Sequence, residues 1–302
     1  LNQNGTQTLW QVPDFAIDLE HRNRRSIIVG EANLASSKGD WQLELRTEQH
    51  PRRGTLSMTA LSQDLVPSGI AGNFPSIGIF RALDMAVDGE ARLELSNAGE
   101  YLAGDANLRL APGQITPPWD RDAPLRIDGG QLQVRYDAKG NGAIEILPST
   151  LQWGESKATV SGTFRPVRGA DGAPISWDFN LKADDAVLAV EEHGLAPMKI
   201  DEWVAEGNVA TKEGHLTLSR FVIRSGTAQV SFAGTVAEAP DAPGSPDVKL
   251  AGEISPMLAD TFKQFWPKFV AGKARAWVLE RIAGGEVRGG KFNVALAPGD
   301  LT

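Results

Sequence analysis

Cysteine is absent from all 302 residues, which removes disulfides, thiolate metal sites and cysteine nucleophiles together. The absence fits an oxidising compartment, where stray thiols are a liability, without requiring one. No apolar run approaches the roughly 18 residues of a membrane helix, and the opening LNQNGTQTLW is polar, so neither a membrane span nor a signal peptide is expected here. Basic charge is short: 30 Lys and Arg stand against 38 Asp and Glu, a net charge of −8. With no basic stripe and no interleaved aromatics, nucleic-acid binding is not expected. The nearest basic run, His21-Arg22-Asn23-Arg24-Arg25, reads as a solvated turn before it reads as a phosphate or lipid-headgroup site.

Signs of catalysis are missing as well. His21, His50, His193 and His215 are scattered without HxxxH or HxH spacing, so they read as ordinary residues rather than metal ligands. Glu191-Glu192-His193 and Asp184-Asp185 have the residue types of a metal site. Adjacent acids on a strand point to opposite faces, however, and a solvated loop accounts for them. There is no GxSxG, Walker loop or GxGxxG, and Gly140 and Gly142 flank a turn. No carboxylate pair is marked by context, and Asn4-Gly5-Thr6 is a sequon of a kind that arises by chance. The expectation is a protein that is not an enzyme and uses no metal and no cofactor.

What is present is alternation. From Trp203 to Val236, apolar residues alternate with polar ones at Leu216 and Leu218 and again at Ala228, Val230 and Phe232. Period two means strands with one dry and one wet face. Lys212-Glu213-Gly214 and Ser225-Gly226 cut the runs with hairpin turn chemistry. The pattern recurs: 144–164, IEILPSTLQWGESKATVSGTF, lies without a gap on 216–236, LTLSRFVIRSGTAQVSFAGTV. Ile144 and Ile146 fall on Leu216 and Leu218, Gly154 on Gly226, and Ala158 and Val160 on Val230 and Phe232. Residues 91–115 carry a looser copy. Repeated strand–Gly turn–strand units predict antiparallel meanders.

In chain order, strands are expected around Phe15–Leu19, Ile27–Val29, Trp41–Leu45 and Leu56–Ala60. Residues 64–83 break the pattern: Leu65, Ile70, Phe74, Ile77, Phe80 and Leu83 recur every three to five positions between Pro67 and Pro75, which predicts one or two short helical pieces. Strands resume at 85–95, 101–110 and Leu132–Tyr136. Residues 112–124 and 165–174 read as loops, and Trp119 in the first is expected to pack back on the sheet. Residues 184–197 read as a short helix or an irregular edge, and 238–247 as a long hairpin loop. A helical pair is expected over 255–283. Ser255 would cap and Pro256 would open its first helix, which carries Leu258, Phe262, Phe265 and Trp266. The second runs from Lys273 to Ile282 with Ala274, Trp277, Val278 and Ile282 on one face, until Gly284-Gly285 stops it.

The fold class predicted is mainly β: an elongated, curled antiparallel sheet of repeated meanders with a few short helices, forming one segment over 1–302. Leu93, Leu95, Leu132, Val134, Ile144, Ile146, Leu216, Leu218, Val230 and Phe232 would share its apolar side. Two readings of that side stay open. It is the core of a closed sandwich, or it is the wall of an open, taco-like groove filled by a ligand. For the second, one long acyl chain gains about 10 kcal/mol gross at about 0.8 kcal/mol per methylene, before entropy costs.

The stretch FWPKFVAGKARAWVLERIAGGEVRGGKFNVAL resembles the signature of the AsmA-like superfamily, in its YhdP-like branch of large bacterial envelope proteins. The matching features are Trp266-Pro267, Arg275, Trp277-Val278, Gly285 and the strand 287–296. Val66-Pro67, Val87-Asp88-Gly89 and the repeated meanders follow the same order. The resemblance implies a protein anchored in the inner membrane whose β body crosses the periplasm. Its hydrophobic groove would carry phospholipid toward the outer membrane, as in TamB and other bridge-like lipid transfer proteins. The ten apolar residues above would be lipid-binding, and Phe262, Phe265, Trp266 and Trp277 would cap or plug the groove. The partners implied are a phospholipid or other acyl lipid, and bacterial membranes contacted through other parts of the protein, since both ends read as cut from a longer chain. The rival expectations are an envelope scaffold with a self-packed core, and a carbohydrate-binding β-protein using Trp119, Trp153 or Trp177 as a stacking platform.

Overall fold

The computed structural model describes residues 2–3, 6–7, 11–22, 25–36, 38–71, 82–116, 124–189, 196–210, 214–239, 241–242, 245–266 and 272–300. Strands hold 70 % of it and helices 9 %, so the fold is mainly β, built of antiparallel meanders with few short helices, as the alternation predicts. The chain, expected as one segment, divides into two compact units: 1–116 with 124–149, and 117–123 with 150–302.

In the first unit β1 (Asn2–Gln3) and β2 (Thr6–Gln7) pair, among the described residues, only with each other. There follow β3 (Gln11–Arg22), β4 (Arg25–Ser36), β5 (Gly39–His50), β6 (Thr55–Leu65), helix α1 (Pro67–Ala71), β7 (Leu83–Asp84), β8 (Val87–Ser96), β9 (Tyr101–Leu110), β10 (Gly113–Ile115), β11 (Leu125–Ile127), β12 (Gly129–Asp137) and the start of β13 (Ala143–Trp153). The main ladder runs β3-β4-β5-β6-β8-β9-β12-β13. Almost every neighbour in the ladder is also the next strand in the chain, because short polar turns join them. A small sheet, β11-β10-β7, interrupts the region read as a loop over 112–124. Its strands have two or three residues, too few for alternation to show. Of the helical pieces expected over 64–83, α1 forms; 72–81 lie outside the described residues, as does Trp119.

In the second unit β13 ends, and β14 (Ser156–Arg168), β15 (Pro174–Leu188), β16 (Met198–Ile200), β17 (Glu202–Ala210), β18 (His215–Ser225), β19 (Ala228–Ala237), β20 (Asp247–Ile254), β21 (Met257–Leu258), α2 (Ala259–Phe265), α3 (Gly272–Arg281), β22 (Glu286–Val287) and β23 (Gly290–Leu296) follow. The ladder runs β14-β15-β17-β18-β19-β20-β23, with β16 on the far half of β15. Residues 184–188, read as a short helix or irregular edge, continue β15 through an irregularity at Asp185, and 186–188 pair with β16. The internal repeat is real at the level of elements. β13 and β14 begin 72 residues before β18 and β19, and the hairpin glycines Gly154 and Gly226 share a φ of 57°, the left-handed turn conformation glycine adopts at no steric cost.

The first helix of the pair begins later than the capping signal suggested. Ser255 Oγ accepts the N–H of Gln229 (2.7 Å) and donates to the carbonyl of Thr227 (3.1 Å), so it is spent tying β20 to the start of β19. Met257 and Leu258 then pair with Val287 and Glu286 in β21 and β22. Helix α2 therefore starts at Ala259 with no side-chain cap.

Candidate functional site

Antiparallel register fixes which side chains share a face, since directly paired residues point the same way. In the first unit the pairings connect Ile17, Gly30, Leu45, Ala60, Ala91, Ala106 and Val134 into one row across seven strands. Phe15, Ala32, Leu43, Ser62, Gly89, Leu108 and Leu132 form the next row. Leu19, Ile28, Thr47, Met58, Leu93, Gly104 and Tyr136 form the row on the other side. Six strand spacings make each row about 29 Å long. Of the expected lipid-binding residues, Leu93, Leu132 and Val134 lie in these rows, and Leu95 sits on the same side of β8 opposite Leu56.

This field is not a closed core. Phe15 is 65 % exposed, Ile17 64 % and Leu19 70 %, and Ile28 is exposed beside them. The residues farther along the rows are half-buried. The unit's deeply buried apolar side chains sit toward one end of the strands, at Trp41, Met85, Val87 and Ile127. There Asp84 of β7 accepts bonds from Lys38 (2.9 Å) and Ser68 of α1 (3.2 Å), which hold its carboxyl below its ordinary pKa.

The opposite side of the same strands is acidic. One row reads Ala16, Glu31, Glu44, Leu61, Glu90, Asn107 and Gln133. A concavity of about 1140 Å³ is lined mainly by this side, including Asp14, Glu31, Glu44, Asp64, Asp88 and Glu90, with Arg109 the single cation among the described residues of its lining. Such a field repels phosphate. Arg109 is engaged by Asp88 at 2.7 Å, and Asp88 also accepts the N–H of Asp64 at 2.8 Å. The Asp64 amide first, and the Arg109 guanidinium next, lower the pKa of Asp88. The concavity the structure describes is thus on the polar side of these strands, and the apolar side is an open surface.

In the second unit the rows are more aromatic. Gly162, Leu181, Ala205, Phe221, Phe232, Gly252 and Phe292 are aligned, flanked by Phe164, Phe179, Gly207, Leu218, Gly234, Leu250 and Val294. Phe221 stacks on Phe232 at 4.4 Å and meets Trp203 edge-on at 5.8 Å. Gly252 lets the Phe232 and Phe292 rings close to 6.3 Å across it, since a Cβ there would lie 2.6 Å from both side chains. Leu216, Leu218, Val230 and Phe232 all belong to this side. Ile144 and Ile146 share one side of β13 and are half-buried.

The proposed cap divides. Phe265 is buried in a cluster with Ala158, Ala183, Ala186, Ile200, Ala228 and Met257, and Phe262 packs against it. Trp266 meets Phe262 edge-on at 5.2 Å. Phe265 and Phe262 cover the end of the rows that carries Trp203, Ile223, Val230 and Ile254. Trp277 does not join them. It is 57 % exposed, and the buried residue of α3 among those described is Arg275, whose Nε donates to the Trp266 carbonyl at 3.1 Å. An arginine inside a helix face is invisible to a reading that collects apolar residues.

Sequence reasoning also missed Phe15, Ile17, Leu19, Ile28, Leu43, Leu45 and Met58 as members of the face. Their alternation was plain; what was lacking was the ladder order that sets them beside Leu93. Phe221 was missed because an extra residue in β18, a bulge near Ser219 and Arg220, breaks the period between Leu218 and Phe221 while keeping both on one side.

The remaining candidates have ordinary partners. His21, His50 and His215 lie against Ser26, Ser57 and Thr217 hydroxyls at 3.1, 3.0 and 3.2 Å. Asp184 pairs with Lys182 at 3.2 Å. No group suited to a metal occurs among the described residues, and Glu191, Glu192 and His193 lie outside them. Trp153 packs on the Phe265 cluster, whereas Trp177 pairs with Pro166 and Val209 several residues away along the strands, so the two do not share a platform. Comparison with protein-family models, curated proteins and solved structures finds no match for this chain.

Proposed function

We propose that this chain is part of a periplasmic AsmA-like protein that binds lipid acyl chains along its apolar rows and supports phospholipid transport between the inner and outer membranes. One observation carries the reading. Phe15, Ile17 and Leu19 stand exposed at the margin of an apolar field seven strands wide. An open apolar surface on that scale calls for a covering ligand, partner or membrane. A row of about 29 Å approaches the hydrocarbon thickness of a bilayer, so an acyl chain laid along it would touch several strands. Headgroups would stay in water, away from the acidic side. The mechanism is passive sliding along a dry surface, and the resemblance around Trp266–Leu296 supplies the direction of the argument from acyl binding to transport.

The second reading is a scaffold with a self-packed face, favoured by the aromatic rows and by the Phe265 cluster of the second unit. Mass spectrometry of a chloroform extract of the purified protein, against a mock purification, separates the two. The transfer reading expects phospholipid near one or more per chain, lost in Ile17→Asp and Leu93→Asp variants that keep the wild-type circular dichroism. Ile17 is already in water, so its variant should fold. A clean extract from a folded sample overturns lipid binding and leaves the scaffold.

A further inference from the structure

The strands of the first unit differ at their two ends. One end holds the buried Trp41, Met85, Val87 and Ile127, beside α1 and the β11-β10-β7 sheet. At the other end the hairpins β5–β6, β8–β9 and β12–β13 turn back over residues 50–55, 96–101 and 137–143.

Toward that second end the side chains change character step by step. The last row on the apolar side is Gln49, Leu56, Leu95 and Tyr101. Gln49 and Tyr101 are exposed. A tyrosine ring joins an apolar body to a polar tip and suits the boundary between hydrocarbon and water. Two residues beyond Leu56, roughly 7 Å at the rise of a strand, the turn Pro51-Arg52-Arg53-Gly54 begins.

Backbone bonds fix this turn. The His50 carbonyl accepts the N–H groups of Arg53 and Gly54, each at 3.0 Å. Gly54 has a φ of 67°, and its carbonyl accepts the N–H of Asn97 at 3.0 Å from the β8–β9 turn. Arg52 and Arg53 are exposed and make no ion pair among the described residues. On the polar side, by contrast, Arg92, Arg109 and Arg135 have carboxylates at 2.8, 2.7 and 3.6 Å. The β8–β9 turn adds Glu100, one acid against two arginines.

Hydrocarbon rows, then a tyrosine, then two guanidinium groups follow a phospholipid from acyl chain through glycerol to phosphate. Arginine suits that last place, because its planar fork of N–H donors matches phosphate oxygens. We propose that the Arg52-Arg53 turn is a headgroup site that selects lipids of net negative headgroup over zwitterionic ones. The proposal rests on the reading that the apolar rows hold acyl chains. The phosphate sits at the turn, the ester region beside Gln49 and Tyr101, and the acyl chains on the rows from Leu56 and Leu95 inward. A zwitterionic headgroup brings its own ammonium toward the guanidinium groups, and that like charge offsets part of the attraction. The rows accept any chain; the turn discriminates by charge.

The test incubates the protein with vesicles of phosphatidylglycerol and phosphatidylethanolamine in equal amounts and with the same acyl chains. The protein is re-isolated and its bound lipids are measured by mass spectrometry. Phosphatidylglycerol should be enriched about threefold or more over the vesicles, the modest factor that exposed ion pairs supply. The enrichment should fade in about 0.5 M salt, where such pairs are screened. An Arg52→Glu, Arg53→Glu double variant, altered only at exposed turn positions, should lose the enrichment while keeping its total lipid within about twofold of wild type. Leu93→Asp should lose both lipids alike. Bound lipid without enrichment, or enrichment that survives in the double variant, overturns the headgroup site and leaves acyl binding standing. A wild-type protein that takes up neither lipid overturns both.

Discussion

Asp88 shows how much one side chain can organise in an open sheet. It leaves β8 on the polar side, accepts the Asp64 amide and the Arg109 guanidinium, and so fastens the irregular end of β6, where Asp64 has a φ of 57°, to β9. Both partners favour the charged carboxylate, which lowers its pKa. A carboxyl depressed on folding contributes stability that is fully present above the unfolded-state pKa. That stability is lost as pH falls through the lower folded-state value. Asp88→Asn should therefore cost about 1 kcal/mol in neutral buffer, less than a buried charge-assisted bond because Arg109 is largely in water and its pairing is screened. The difference from wild type should vanish below the ordinary carboxylate range. Urea midpoints measured in both conditions test this; an equal cost at both pH values would mean that shape rather than charge is what Asp88 supplies. The acidic partner of Arg109 could not be read from the sequence, where the two lie 21 residues apart among 38 acids.

Among the elements, hairpins were legible and helices only partly so. A strand such as β18 announces itself through Leu216 and Leu218, and a turn such as that at Gly226 through residue type, because both signals are local. The start of α2 was misplaced because Ser255 had two possible uses, helix cap or strand tie, and the choice depends on Gln229 and Thr227 lying alongside. Trp277 was assigned to the cap because aromatic residues on a helix usually mark its buried face, but α3 buries Arg275 instead. The two helices should consequently respond in opposite ways to truncation. Phe265→Ala opens a cavity within the Ala158, Ala183 and Met257 cluster and should cost about 3–5 kcal/mol. Trp277→Ala removes a mostly solvated ring and should change stability by about 0.5 kcal/mol or less. Thermal or urea unfolding of the two variants decides it, and a larger loss at Trp277 would place that side chain in the cap after all.

For the whole molecule, the open question of the sequence, closed core or uncovered face, receives a different answer in each unit. The first leaves Phe15, Ile17 and Leu19 in water. The second lays Phe262 and Phe265 over one end of its rows and brings its phenylalanines into contact with one another. The sequence could not make this distinction, because alternation reports a dry face without reporting what covers it. The unequal cover has a consequence for cooperativity. The Phe265 cluster and the residues packed on it, from Trp153 to Val287, lie wholly within the second unit. The first unit is held by its own ladder and by the buried Trp41, Met85, Val87 and Ile127. Local opening follows contiguous units with their own buried contacts. Phe265→Ala should therefore accelerate amide exchange in β14 to β20 by a hundredfold or more, the factor that about 3 kcal/mol implies. Exchange in β4 to β8 should change less than tenfold. Exchange mass spectrometry resolves the two regions in one experiment. Uniform acceleration would show that both units unfold in one transition; a confined response would mean that the covered unit can loosen its plug while the exposed rows of the other keep their order.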